Sequence, residues 1–491
     1  MKNKTVLGID IGTTAIKMVL LSIIDSTHTK IEREISMPHD LISLFPGWAE
    51  EDPFVWKSHM LKMLSTLSKE EDLSSLEAIA LTGMTPALIM LDEDGNPLRN
   101  AILQNDMRTG QEIEYLKAQL EKDSSYFKKT GCHVNSQNIA PRMLYLYEHE
   151  RDVFDKTRFI CGSYDYGAFI LTGKLYIERN WALESGLFTL ENELIDDVLH
   201  LSHIEKSWIP EVAPFRTLIG CVSKEISLAT GLKEGIRVYE GTADHVASSY
   251  ASGAKEEGAL VLKLGGAGDI LLSTGSLITD DRLFIDFSPS LSSPFLINGC
   301  TAASGSLLKW FTREFGGEYK DLDHLAETIS AGSDGLVMLP YVLGEKTPIF
   351  DPDAKGVIYG LLLHHTKAHV YRAMMEAVAY AFRHHRDIFE ELGISVKKVF
   401  ITNGGSTSPL WRQIMADVLK CEVAYIKHSP GSSLGAAFIA GEASSLIAPE
   451  AIDDFLSQKI ISYPNDKNYE AYDRNYRIYR ELYPRLKDLE K

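Results

Sequence analysis

Asp10-Ile11-Gly12-Thr13-Thr14 sets a carboxylate, a glycine and two hydroxyls in one short stretch. Such a set could hold a hydrated Mg²⁺ and phosphate oxygens, or form only the polar tip of a hairpin. Asp244 stands between the apolar run Val238-Tyr239-Glu240 and a stretch rich in Ala and Ser. A carboxylate at such a junction could accept the proton of a hydroxyl that attacks phosphorus, or simply cap a helix. Gly265-Gly266-Ala267-Gly268 leaves much backbone bare, and Gly404-Gly405 follows an apolar run. Either glycine pair could admit a phosphate or serve as a turn, and neither completes the Gly-x-x-x-x-Gly-Lys-Ser/Thr loop. Ser304-Gly305-Ser306 is no nucleophile elbow. His364-His365 and His384-His385 lack His-Glu-x-x-His spacing, so a catalytic transition metal is not expected. His384-His385, between Arg383 and Arg386, reads as a solvated helix face.

The elements around these residues are strands, glycine turns and helices. Val6–Leu21 reads as two strands joined at Gly12, because β-branched residues alternate on either side. Ile31–Ser36, Leu76–Thr82, Leu88–Leu91, Gly335–Tyr341 and Val399–Thr402 read as further strands. A helix is expected from about Asp52, with Pro53 in its first turn, to about Ser68. Others are expected over Val246–Gly253, Leu307–Phe315, Tyr371–Glu390, Trp411–Leu419 and Leu434–Gly441, with a surface helix after Pro464. Residues 110–205 are helical in pattern and read as an insertion in the first domain. Leu260–Leu272 repeats the strand, glycine turn and strand of Val6–Leu21, which suggests two domains of one plan. Two facing glycine turns would suit the phosphates of a nucleotide lying between domains.

The chain of 491 residues calls for two large domains, and its 45% hydrophobic and 24% charged residues are ordinary globular material. A net charge of −18 argues against nucleic acid or an anionic membrane as the main partner. Five scattered cysteines form no Cys-x-x-Cys pair, which fits a reducing cytoplasm. Asp10 interrupts the first apolar run, so a signal peptide is not expected, and no run is long enough to cross a bilayer.

In order along the chain stand Gly8-Ile9-Asp10-Ile11-Gly12-Thr13-Thr14, Gly47-Trp48-Ala49-Glu50-Glu51-Asp52-Pro53, Asn105-Asp106-Met107-Arg108-Thr109, Leu339-Pro340-Tyr341 with Gly344-Glu345-Lys346-Thr347-Pro348, and Gly356–Glu376. Together they resemble the FGGY carbohydrate kinase family, in its xylulokinase-like pentulose kinase branch, from about Val6 to Gly441. The resemblance implies an α/β fold of two actin-like, ribonuclease-H-like domains with a cleft between them. Residues 1–245 would bind sugar and 246–491 nucleotide. It implies ATP-dependent phosphorylation of a sugar or polyol hydroxyl, with ATP and Mg²⁺. Asp244 would be the general base and Asp10 would position Mg²⁺. Thr13, Thr14 and Lys17 would meet the phosphates from one side and Gly265 and Gly266 from the other. Gly305, Gly404 and Gly405 would line the nucleotide site. Met84, Thr85, Pro86, Asp106, Asp244 and His245 would face the sugar.

Several positions depart from the branch. Met84-Thr85-Pro86 stands where Gln-Met-His is typical, Gln104 where Trp is frequent, and His245 where Asn, Gln or Asp is usual. Gly266 and Ala267 replace a Thr and a Ser, Arg142 replaces Lys, and Tyr145 replaces Trp. The resemblance makes xylulose the default substrate, and these departures bring in ribulose, erythritol-like polyols and glycerol as rivals. A non-phosphorylating actin-fold ATPase or ligand sensor is the alternative from another class, against which Asp244 speaks. The expected partner is a small sugar or polyol, with no nucleic acid and no membrane, and a homodimer is left open.

Overall fold

The computed structural model describes residues 3–427, 431–457 and 459–490. By internal contacts the chain divides into two units. The first comprises Met1–Ala251, Asp286–Pro289 and Pro430–Ser457, and the second Ser252–Ile285, Ser290–Ser429 and Gln458–Lys491.

The first unit is built on a six-stranded sheet. Its strands are β1 (Lys4–Ile11), β2 (Ala15–Ile23), β3 (Thr29–Pro38), β4 (Leu76–Gly83), β5 (Leu218–Cys221) and β6 (Arg237–Ala243), in spatial order β5-β6-β4-β1-β2-β3. β1, β2 and β3 form an antiparallel meander, whereas β4 and β6 run parallel to β1. β1 is buried on both faces after its first residue, so it reads as a nearly continuous apolar run. The helix Pro53–Glu70 begins where Asp52 accepts the Phe54 amide at 2.8 Å, with Pro53 at its first position. Helices Gly110–Leu120, Ile139–His149 and Ser163–Thr172 lie within the expected insertion.

The helix Ser432–Ala443 lies against β1 at van der Waals distance because the residues between them are small. A Cβ on Gly8 would stand 1.9 Å from the Ser433 carbonyl oxygen, and one on Gly435 would stand 2.1 Å from that of Ala247. The same helix therefore also seats Asp244–Ala251, whose Ala and Ser residues permit the approach.

The second unit repeats the plan. β7 (Ala259–Leu264), β8 (Gly268–Thr274), β9 (Phe284–Phe287), β10 (Phe295–Thr301), β11 (Lys398–Thr402), β12 (Val423–Ile426) and β13 (Lys459–Ser462) lie in order β9-β10-β8-β7-β11-β12-β13. The last two residues of β9, Asp286 and Phe287, belong to the first unit. Here β7, β8 and β10 are the antiparallel meander, and β11 and β12 follow parallel to β7. The long helix Lys367–Glu391 carries Met374, Met375, Val378, Ala381 and Phe382 fully or almost fully buried.

Two sequence expectations are corrected here. His385 is not solvated: it is 0% exposed, its Nδ1 lies 2.8 Å from the Ala381 carbonyl and its Nε2 2.8 Å from the Thr347 hydroxyl. Burial pushes its pKa down to about 4. The flanking arginines misled, because Arg383 and Arg386 reach sideways to Asp473 and Glu390 while the ring points inward. The helix after Pro464, Tyr469–Leu486, is amphipathic rather than merely superficial, with Tyr472, Tyr476, Tyr479 and Leu482 buried. Among the described residues no helix is long and apolar enough to cross a membrane, and all five cysteines are free.

Candidate active site

Three adjacent parallel strands present the first unit's candidates at one edge of its sheet. Asp10 is level with Thr82 and Ile11 with Gly83, while Thr242 and Ala243 are level with the same two residues from the other side. The chain leaves these strand ends as Gly12-Thr13-Thr14, Met84-Thr85-Pro86 and Asp244-His245. Carboxyl ends of parallel strands are where open α/β sheets bind ligands.

Asp10 is 5% exposed, and its Oδ2 accepts the Ser432 hydroxyl at 2.6 Å. Lys17 stands opposite it in the β1–β2 ladder and is exposed, as is Thr14. The turn between them is pinned by His39, whose amide donates to the Thr14 carbonyl at 3.1 Å and whose Nε2 lies 2.9 Å from the Gly12 carbonyl. Burial alone would lower the His39 pKa, but the hydrogen bond and charge of Glu51 outweigh it and raise it. The donors gathered here are hard oxygens, one carboxylate and the hydroxyls of Thr13 and Thr14. That chemistry fits Mg²⁺ and phosphate.

Thr85 is 7% exposed, and its hydroxyl has no hydrogen-bond partner among the described residues. The carbonyls on either side are held: Met84 O accepts Ser163 Oγ at 3.0 Å, and Pro86 O accepts Arg142 Nη1 at 2.7 Å. The segment is thus rigid while one polar group stays unspent. Gln104 Oε1 is likewise buried without a partner among the described residues. Asp106 is differently placed. Its Oδ2 accepts the Ala49 amide and Arg108 Nη2, both at 2.7 Å, and its Oδ1 accepts Arg108 N at 3.0 Å and Nε at 2.9 Å. It is 1% exposed and serves to fix Arg108, which stacks on Trp48 at 3.7 Å.

Asp244 is the first residue of the helix Asp244–Ala251, directly after β6, and its side chain is 37% exposed. His245 Nδ1 lies 3.6 Å from Asp244 Oδ1, and His245 Nε2 lies 2.9 Å from Asp286 Oδ2. Burial alone would depress the His245 imidazolium, but Asp286, Asp244 and Glu184 together hold its pKa well above the usual value. Ser432, Glu184 and Asp286 carry no local motif and were not legible in the sequence. Each comes from a segment remote from the strand ends it reaches.

In the second unit β7 and β11 are the parallel neighbours, with Lys263 level with Thr402. Gly265-Gly266 leaves β7 and Asn403-Gly404-Gly405 leaves β11. The amide of Ser304 donates to Gly266 O at 2.8 Å and that of Gly305 to Gly265 O at 2.7 Å, which seats the start of helix Gly305–Phe315 on the turn. Asn403 Nδ2 lies beside Gly265. Structure thereby brings Gly265, Gly266, Gly305 and Gly404 together. Gly405 is enclosed by Trp411 and Leu264, whereas the space beside Gly266 and Gly404 is open. A cavity of about 780 Å³ continues past Ser306 between Lys309, Trp310, Arg313, Tyr319 and Leu343. Its size and mixed lining suit a nucleotide-sized ligand.

The sequence profile of the FGGY family of carbohydrate kinases, N-terminal domain, matches residues 5–250, and that of the C-terminal domain matches residues 285–444. The chain belongs to the FGGY family of carbohydrate kinases. It is an ATP-dependent sugar kinase with the two-domain actin-like fold, and it uses ATP with Mg²⁺. It is similar to the crystal structure of xylulose kinase from Rhodospirillum rubrum, with 37% identity, a TM-score of 0.91 and 99% of each chain covered. It is also similar to gluconate kinase from Lactobacillus acidophilus, with 25% identity, a TM-score of 0.91, and 99% of this chain and 98% of the other covered. Among curated relatives, the xylulose kinase of Bacillus subtilis is 28% identical over 99% of this chain and 98% of its own length.

Proposed function

We propose that the kinase phosphorylates a pentulose, with D-xylulose as the first candidate, and that Asp244 is its general base. The reading rests above all on Asp10, near the carboxyl end of β1, and on Thr85 and Asp244, just beyond the carboxyl ends of the neighbouring parallel strands β4 and β6. A sugar hydroxyl does not ionise at neutral pH, so it must be aligned with the γ-phosphorus and relieved of its proton late in the transfer. Asp244 takes that proton. Thr85, with its unspent hydroxyl, orients the sugar, together with Met84, Pro86 and the edge of His245. Asp106 contributes by holding Arg108.

Asp10 holds Mg²⁺, directly or through water, and the ion neutralises phosphate charge when bound. Thr13, Thr14 and Lys17 meet phosphate oxygens in the first unit. The bare amides at Gly265 and Gly266 and the start of helix Gly305–Phe315 do so in the second, with Gly404 and Gly405 lining the nucleotide. The first unit carries the sugar functions and, through Asp10, Thr13, Thr14 and Lys17, part of the phosphate contacts, and the second unit carries the other nucleotide functions. Support for xylulose comes from the names of the relatives, and the free cysteines fit a reducing cytoplasm.

Asp244→Asn should lower kcat by about 10³-fold while the sugar still binds. Near-normal turnover in that variant removes Asp244 from the mechanism. A panel of D-xylulose, ribulose, erythritol, glycerol and gluconate, read by coupled ADP release, tests the substrate. A kcat/KM for any of the others above that for D-xylulose overturns the xylulose assignment.

A further inference from the structure

His245 has both ring nitrogens facing carboxylates. Nε2 meets Asp286 Oδ2 at 2.9 Å, and Nδ1 faces Asp244 Oδ1 at 3.6 Å. Three carboxyl groups surround the ring: Asp244 on its own helix, Asp286 on the segment Asp286–Pro289, and Glu184 at the end of helix Arg179–Glu184. One side-chain N or O atom from each of Glu184, His245 and Asp286 lies within 4.8 Å of the other two.

Asp286 is not a loosely placed neighbour. It is 1% exposed, and the next residue is locked to the sheet end that carries Asp244. Phe287 N donates to Asn180 Oδ1 at 2.7 Å, and Asn180 Nδ2 donates to Phe287 O at 2.9 Å and to Thr242 Oγ1 at 2.8 Å. Thr242 is two residues before Asp244 on β6. One buried side chain, Asn180, thus fixes the anchor of His245 and the strand that ends at Asp244.

We propose that His245 is a positioning residue: anchored at Nε2 by Asp286, it presents Nδ1 to Asp244 Oδ1 and favours the ionised form of that carboxylate. The proposal rests on Asp244 being the base. A protonated imidazole is a donor at both nitrogens, so it can bridge two carboxylates as no neutral ring can. Asp286 and Asp244 supply the negative charge that keeps the proton on the ring. Glu184 is half-buried, and desolvation, then the charge of Asp286, raises its carboxyl pKa well above the ordinary value. A cation beside Asp244 favours its charged form, which is the form that can accept a proton.

The test compares His245→Asn, Asp286→Asn and Asp244→Asn with the wild type, using D-xylulose or the best sugar of the panel, with thermal melting as the check on folding. His245→Asn should lower kcat about 10²-fold, by a larger factor than it raises the sugar KM. The acidic limb of its kcat profile should move to higher pH, because a carboxylate without a neighbouring cation keeps its proton longer. Asp286→Asn should be most active near pH 6 and fall toward the His245→Asn level by about pH 8.5, because the unanchored ring then loses its proton within that range. A loss carried by KM alone, or pH profiles that overlay the wild type, overturns the proposal. If Asp244→Asn is inactive while His245→Asn matches the wild type, the base stands and the positioning role falls. If Asp244→Asn stays active, the base itself is wrong. Should His245→Asn fail to fold, the pH dependence within folded Asp286→Asn decides alone.

Discussion

The hairpins β1–β2 and β7–β8 occupy the same place in two sheets of the same order, yet they solve the turn differently. The first presents side chains: Asp10 at the end of β1, then Thr13 and Thr14, with Lys17 opposite Asp10. The second presents backbone: Gly265-Gly266-Ala267, with only amides and carbonyls at the tip. The charge pair across each ladder is also reversed. Asp10 is on the outgoing strand and Lys17 on the return, whereas Lys263 is outgoing and Asp269 returns, 3.3 Å from it. One topology thus yields a hard-oxygen site in one unit and an amide-lined turn in the other. The scaffold sets where a turn sits, and two or three residues set what it can bind.

Substitutions can break this contrast. The largest effect should come from Asp10→Ala, which removes the buried carboxylate. Turnover should fall about 10²- to 10³-fold, with more Mg²⁺ needed for half-maximal rate, as metal titration of steady-state activity would show. Gly266→Val should act on the other hairpin by filling the open space beside it, raising the KM for ATP about 10-fold at an unchanged melting temperature. An unchanged KM would mean that this turn does not meet the nucleotide. Asp269→Asn should change kcat and KM less than about 2-fold, because its carboxylate pairs with Lys263 at the partly exposed ladder. A loss in Asp269→Asn as deep as in Asp10→Ala would erase the distinction between the hairpins.

Two buried groups, one in each unit, should act on stability with opposite pH dependence. In the first unit burial raises the Glu178 carboxyl, with a pKa of about 8 against an ordinary 4.5. The folded state keeps a proton that the unfolded chain releases. Its contribution to stability therefore falls as pH climbs from about 4.5 toward 8. In the second unit buried His385 has the opposite sign. The unfolded chain takes up a proton below pH 6.5 that the folded ring refuses until about pH 4, so stability falls as pH drops through that window. Glu178→Gln should flatten the alkaline decline of the melting temperature and leave the acidic one. A decline unchanged by Glu178→Gln would mean that its carboxyl is ionised in the native state.

Much of the fold was legible because it is local. Short apolar runs rich in β-branched residues became β1, β2, β4 and β11, Asp52-Pro53 began its helix, and the repeated strand-glycine-strand pattern announced two like sheets. The site was legible where a residue's role follows from its neighbours in the chain. Asp10 beside Gly12, and Asp244 at a strand-to-helix junction, are of this kind. The C-terminal helix was misjudged because its charged residues dominate the sequence while its tyrosines face inward.

Sequence alone determined the family, the order of elements and the residues that end the parallel strands, since hydrophobic periodicity and turn chemistry act over a few positions. Tertiary structure decided which groups meet those residues. It set Ser432 on Asp10 and Asp286 on His245, buried His385, and committed both oxygens of Asp106 to Arg108 and Ala49. Contacts at such separations depend on how sheets and helices close on one another, and burial then fixes which polar groups are spent and which remain for a substrate.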